Sequence, residues 1–131
     1  MKSEHKELTQ YFSQQTELIK EIHQQLTERL DQRFTIAELS KQYLINTSTL
    51  KEIFKAVYGQ PIATYMKEFR VRQAMKLLRE TNATIADIAS QAGYQTQGKF
   101  SSAFQSIVKM SPREYRKIQS IAPSDSFSKT P

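Results

Sequence analysis

Two runs of short hydroxyls, amides and lysines hold most of the outward-facing hydrogen-bonding chemistry in this chain of 131 residues. The first is Thr47, Ser48, Thr49, Lys51, Glu52 and Lys55; the second is Gln97, Gly98, Lys99, Ser101, Ser102 and Gln105. Such side chains suit reading better than reacting. On a nucleic acid, Lys donates to guanine, Gln pairs with adenine, Ser and Thr donate or accept, and Glu accepts from the cytosine amino group. The same residue types would equally form the solvated faces of two amphipathic helices, so type alone does not choose.

Catalysis finds little support. His5 and His23 are isolated, and His23 reads as a solvated helix residue. The absence of cysteine excludes disulfides and thiolate metal sites. No Ser-His-Asp grouping, metal-ligand spacing or glycine-rich phosphate loop is present, and the carboxylates sit at helix caps or beside Lys and Arg. The expectation is therefore no enzyme, no cofactor and no metal. Nineteen Lys and Arg against 13 Asp and Glu give a net charge of +6, which favours an anionic partner, nucleic acid before membrane. No apolar run approaches about 18 residues, and the start MKSEHKELTQ lacks the apolar region of a signal peptide, which predicts a cytoplasmic protein.

The elements that would position the two runs are legible in an internal repeat. Thr35-Ile36-Ala37-Glu38-Leu39-Ser40 returns as Thr84-Ile85-Ala86-Asp87-Ile88-Ala89, and Leu50, Phe54, Val57 and Tyr65 return as Phe100, Phe104, Ile107 and Tyr115. Each copy opens on a capping signal, Thr35 with Glu38 and Thr84 with Asp87. A short helix, a turn (Tyr43 to Asn46; Gly93 to Thr96) and a second helix follow, capped by Asn46 or Thr47 in the first copy and Thr96 in the second. Small Ser40 and Ala89 let the two helices of each copy cross closely. Gly59 ends the first copy, and Ser111-Pro112-Arg113-Glu114 starts a last helix through Lys117 or Ile118.

Between the copies, Pro61 to Glu80 reads as one helix with two faces. At about 100° per residue, Ile62, Tyr65, Met66 and Phe69 lie on one side and Val71, Ala74, Met75 and Leu78 on nearly the opposite side. Each half can dock on a different body, and Lys67, Arg70, Arg72, Lys76 and Arg79 argue against burial of the whole helix in one core. The sequence thus predicts an all-α chain of about seven helices. Its expected segments are a flexible start or linker remnant at 1–13, a first helix-turn-helix module at 14–60, a connector helix at 61–80, a second module at 81–118 and a disordered tail at 119–131.

In a helix-turn-helix, the second helix enters the major groove and its first turns reach base edges. That position in the repeat favours readout for the two runs. Phosphate contacts would come from helix starts near Thr35, Thr84 and Ser111, with Arg113 and Arg116 and some of Lys41, Arg70, Arg72, Lys76 and Lys109. A connector of roughly 30 Å nears the spacing of about 34 Å between successive major grooves. One chain could then read two grooves.

These residues carry a family resemblance. Leu50, Phe54-Lys55, Gly59, Tyr65, Arg70, Ala74 and Leu77-Leu78, then Ile85, Ile88-Ala89, Gly93-Tyr94, Phe100, Phe104, Ser111-Pro112 and Tyr115-Arg116, resemble the DNA-binding domain of AraC/XylS transcription regulators from Phe34 to Lys117. The resemblance implies a seven-helix, two-lobed domain that binds double-stranded promoter DNA, commonly as an activator helping RNA polymerase. It points to Ser48, Thr49, Lys51, Glu52, Gln97, Gly98, Lys99, Ser101 and Ser102 as base-contacting positions. Leu44 and Lys109 replace usual glycines, which predicts altered turns, and Gln105 replaces a usual basic residue. Many members carry an effector or dimerisation domain, for which residues 1–33 leave no room, so the chain is expected to be either a short stand-alone member or part of a longer regulator. The rival reading is a helical adaptor whose basic surface binds an acidic protein.

Overall fold

Capping side chains and short turns divide the chain into seven helices in the computed structural model, which describes residues 2–121. They are α1 (Lys2–Glu28), α2 (Ile36–Tyr43), α3 (Thr47–Tyr58), α4 (Ile62–Glu80), α5 (Ile85–Gln91), α6 (Gln97–Val108) and α7 (Pro112–Ile121), with no strand among the described residues. The Thr35 hydroxyl accepts from the Glu38 amide and the Thr84 hydroxyl from the Asp87 amide, each at 3.0 Å. Asn46, rather than Thr47, caps α3, and Thr96 caps α6. Ser111 accepts from the Glu114 amide at 3.1 Å and places Pro112 first in α7, where a missing N–H goes unneeded.

Three boundaries differ from the expected ones. Helix α1 begins at Lys2, well ahead of Gln14, because the run through Ser13 contains no Gly or Pro and is rich in Lys, Glu and Gln, all good helix formers. It stops at Glu28, short of Leu30. Helix α7 continues to Ile121, so residues 119–121 are helical, while the remainder of the expected tail lies outside the described residues.

The chain divides into two units within α4, one ending at Met66 and the other starting at Lys67. The first buries Ile19, Ile22 and Leu26 of α1 with Leu39, Leu50 and Phe54, closed by Ile62 and Met66 from the start of α4. The second buries Val71, Ala74 and Leu78 of α4 with Ile88, Phe100, Phe104 and Tyr115. The two faces of α4 thus serve different cores, as the apolar pattern predicts. Phe69 is half-buried.

Arg70 and His23 depart from expectation. Arg70 is buried at 3% exposure and donates to the Ala92 carbonyl at 2.8 Å, so it fastens α4 to the end of α5 within the second unit and does not face a phosphate. His23 is no solvated residue. It stacks on Tyr58 with ring centroids 4.2 Å apart, and its Nε2 lies 2.7 Å from the Tyr65 hydroxyl.

The turns within the repeats obey one backbone rule. Leu44 (φ 53) and Gly93 (φ 89) occupy equivalent left-handed positions after α2 and α5, as do Gly59 (φ 82) and Lys109 (φ 69) after α3 and α6. Loss of glycine at Leu44 and Lys109 therefore leaves the turns unaltered, contrary to the sequence expectation. The left-handed geometry is kept, and the two L-residues bear its steric cost.

Candidate nucleic-acid interface

The second helix of each copy is presented by a turn whose hydrogen bonds recur in both copies. The Ile45 amide donates to the Ser40 carbonyl at 3.0 Å, and the Tyr94 amide donates to the Ala89 carbonyl at 2.9 Å. In the first copy the Ser40 hydroxyl also donates to the Ile45 carbonyl, a bond Ala89 cannot make. The small residue expected at a close crossing is thus also part of the turn.

Buried Leu50 and Phe54 fix the phase of α3, and buried Phe100 and Phe104 fix that of α6. Most of the predicted set remains outside, together with Val57, which is 38% exposed. Thr47, Ser48, Lys51, Glu52 and Lys55 are exposed on α3, as are Gln97, Gly98, Lys99 and Ser102 on α6. Thr49 and Ser101 are half-buried. Ser101 is the repeat equivalent of Lys51, and its short side chain stays near the helix where a lysine reaches out. The Asn46 side chain accepts from the Ser48 amide at 2.8 Å and the Thr49 amide at 3.4 Å, while Thr96 accepts from Lys99 at 3.1 Å. These caps order the first turns of α3 and α6.

Gly98 has an ordinary helical backbone, and a Cβ built on it would meet nothing within 4 Å. Nothing inside the fold asks for glycine there. It differs from Gly59, whose φ of 82° is left-handed.

The structure separates the expected phosphate contacts. Thr35 and Thr84 are exposed, but their oxygens already accept from backbone amides, so each offers a phosphate only its hydroxyl hydrogen. Arg113 is exposed in the first turn of α7. Arg116 is committed elsewhere. Its Nε donates to the Leu78 carbonyl and a terminal nitrogen to the Thr81 carbonyl, both at 3.2 Å, where it satisfies groups at the C-terminal end of α4. Sequence cannot rank the two arginines. They follow the same cap three residues apart, and only packing turns the second back over α4.

Lys20 pairs with Glu17 at 3.3 Å and Arg72 with Glu68 at 3.9 Å. Lys51, Lys55, Lys99 and Arg113 make no ion pair among the described residues, so their charges are available to an anion. A cleft of about 300 Å³ elsewhere in the first unit is lined by Glu21, Gln24, Gln25, Glu28, Arg29 and Tyr43, and its two carboxylates suit no phosphate. No group of three His, Cys, Asp or Glu among the described residues could hold a metal ion, and no described helix is long and apolar enough to cross a membrane.

Two capped helix pairs with outward polar second helices define a double helix-turn-helix protein. A helix-turn-helix domain family matches residues 39–118, and the chain belongs to the AraC-type helix-turn-helix transcription regulators. It is 34% identical over 91 residues to the transcriptional activator RhaR of Mannheimia succiniciproducens, covering 70% of this chain and 33% of that protein. It is 32% identical over 93 residues to the melibiose operon regulatory protein of Escherichia coli, covering 71% and 31%. The chain thus spans about a third of the length of these relatives. Among solved structures, the C-terminal domain of AraT, a response regulator from Geobacillus stearothermophilus, superposes with a TM-score of 0.73 at 25% identity, over 77% of this chain and 84% of that one. The DNA-binding domain of the transcription factor AdpA, solved with a target DNA, shares the fold with a TM-score of 0.72 at 21% identity, over 76% and 90%.

Proposed function

We propose that the chain binds promoter DNA in the cytoplasm and reads two successive major grooves, α3 in one and α6 in the next. The carrying observation is the repeat itself. Two helix-turn-helix pairs with matching turns each leave the same face of the second helix exposed and polar. Readout is assigned to Thr47, Ser48, Lys51, Glu52 and Lys55 on α3 and to Gln97, Gly98, Lys99 and Ser102 on α6, with Thr49 and Ser101 at the margin. Phosphate contact is assigned to Arg113 and to the helix starts at Thr35 and Thr84. The unpaired α3 lysines give it more charge for base and phosphate contact than α6, whose face carries Lys99 alone, so α3 dominates specificity and α6 adds register. The length of the relatives supports a longer regulator with a separate effector or dimerisation domain, and activation through RNA polymerase follows the activators among them.

Binding sites selected from random duplexes would test this directly. The expected product is two short preferred segments one helical turn apart. Inserting 5 bp between them turns the second groove about half a turn away and should weaken binding tenfold or more. Unchanged affinity after the insertion would overturn two-groove reading, while selection of no preferred sequence would favour the adaptor alternative.

A further inference from the structure

The only carboxylate in either reading helix is Glu52, in the second turn of α3. It is exposed, one residue after Lys51 and three before Lys55, yet forms no ion pair or hydrogen bond among the described residues. Placed against DNA, such a group faces a polyanion and gives up water, both unfavourable unless a donor meets it. Resting on the reading of α3 given above, the choice of donor is narrow. In the major groove, hydrogen-bond donors are the amino groups of cytosine (N4) and adenine (N6). Adenine sets its N7 acceptor beside that amino group, where it repels the second carboxylate oxygen. Cytosine presents a C–H beside its own.

We infer that Glu52 specifies a cytosine in the segment that α3 reads. The carboxylate accepts from the N4 amino group, and Lys51 and Lys55 on either side offset its repulsion from phosphates. Glu52 thus sets base identity at one position while lowering affinity for every duplex that lacks the cytosine there. A lysine or glutamine at the same place would not combine these effects.

The test is site selection with the full chain and with Glu52→Gln, followed by titration of duplexes differing at the affected base pair. Wild type should prefer cytosine at that pair by about 5- to 160-fold, the range for a good base contact. Glu52→Gln should move the preference to adenine, which its amide pairs through N6 and N7, and leave the other positions unchanged. An unchanged preference, or equal strengthening on all duplexes, would overturn the assignment and make Glu52 a phosphate-repelling surface group only. Ser48→Ala and Lys51→Ala serve as the control. If these shift preference in the same segment while Glu52→Gln does not, α3 still reads and only Glu52 is misassigned; if none of the three shifts it, α3 is not the reader.

Discussion

A left-handed backbone costs an L-residue roughly 1–2 kcal/mol, and Leu44 and Lys109 both adopt one. Leu44 is also 91% exposed, so its side chain recovers nothing by burial. Replacing it with glycine removes the steric cost but adds freedom to the unfolded chain, an opposing term of about 0.4–1 kcal/mol. Leu44→Gly should therefore gain up to about 1.6 kcal/mol, and Lys109→Gly a similar amount. Because the two lie in different units, their effects should add. Thermal unfolding of the single and double variants checks this. A lower Tm for Leu44→Gly would mean that restricting the unfolded chain outweighs strain at this turn.

At the scale of elements, the first unit is joined by an aromatic stack. His23 of α1 lies face to face with Tyr58 of α3 and within hydrogen-bonding distance of Tyr65 of α4, with Phe54 beside them. Burial lowers the His23 pKa below its ordinary 6.5. Between the two values the unfolded chain binds more protons, so stability rises with pH. The contribution of neutral His23 is complete above about pH 6.5 and is lost as pH falls through the folded value. Acidifying from pH 7 to 5.5 should lower the Tm of the wild type more than that of His23→Gln, whose amide can donate to or accept from Tyr65 without titrating. A wild-type Tm that rises on acidification would show that stacking on Tyr58 favours the imidazolium more than burial disfavours it.

That histidine also marks where sequence reading stops. Helices α2, α3, α5 and α6 are legible because Thr35, Asn46, Thr84 and Thr96 cap them locally, and α4 because its two apolar faces follow from a 3.6-residue period. The polar faces of α3 and α6 are legible for the same reason, since Leu50 with Phe54 and Phe100 with Phe104 set the phase. His23 to Tyr65, Arg70 to Ala92 and Arg116 to Leu78 are different. They join residues 42, 22 and 38 positions apart, and nothing in the neighbouring sequence names the partner. Reading a lone cation as solvated or phosphate-bound fails where the fold supplies a carbonyl.

Over the whole molecule, the net charge of +6 makes salt the sharpest probe of which cations meet DNA. Each phosphate neutralised contributes about −0.9 to the slope of log K against log salt. Arg113 is exposed with no ion pair among the described residues, whereas the guanidinium of Arg116 holds two carbonyls at the end of α4. Arg113→Ala should therefore flatten the slope by about 0.9 and weaken binding to preferred and random duplexes alike, with Tm unchanged. Arg116→Ala should do the reverse. Its slope should match the wild type, while losing the part-buried bond to Leu78 should lower stability by about 1.5–3 kcal/mol, since water can replace the exposed bond to Thr81. If Arg116→Ala instead flattens the slope and spares the Tm, the guanidinium leaves α4 on binding and the sequence-based assignment to phosphate is restored. Titrations of both variants over a salt series, with Tm measured on the same preparations, separate a cation that binds DNA from one that holds the domain together.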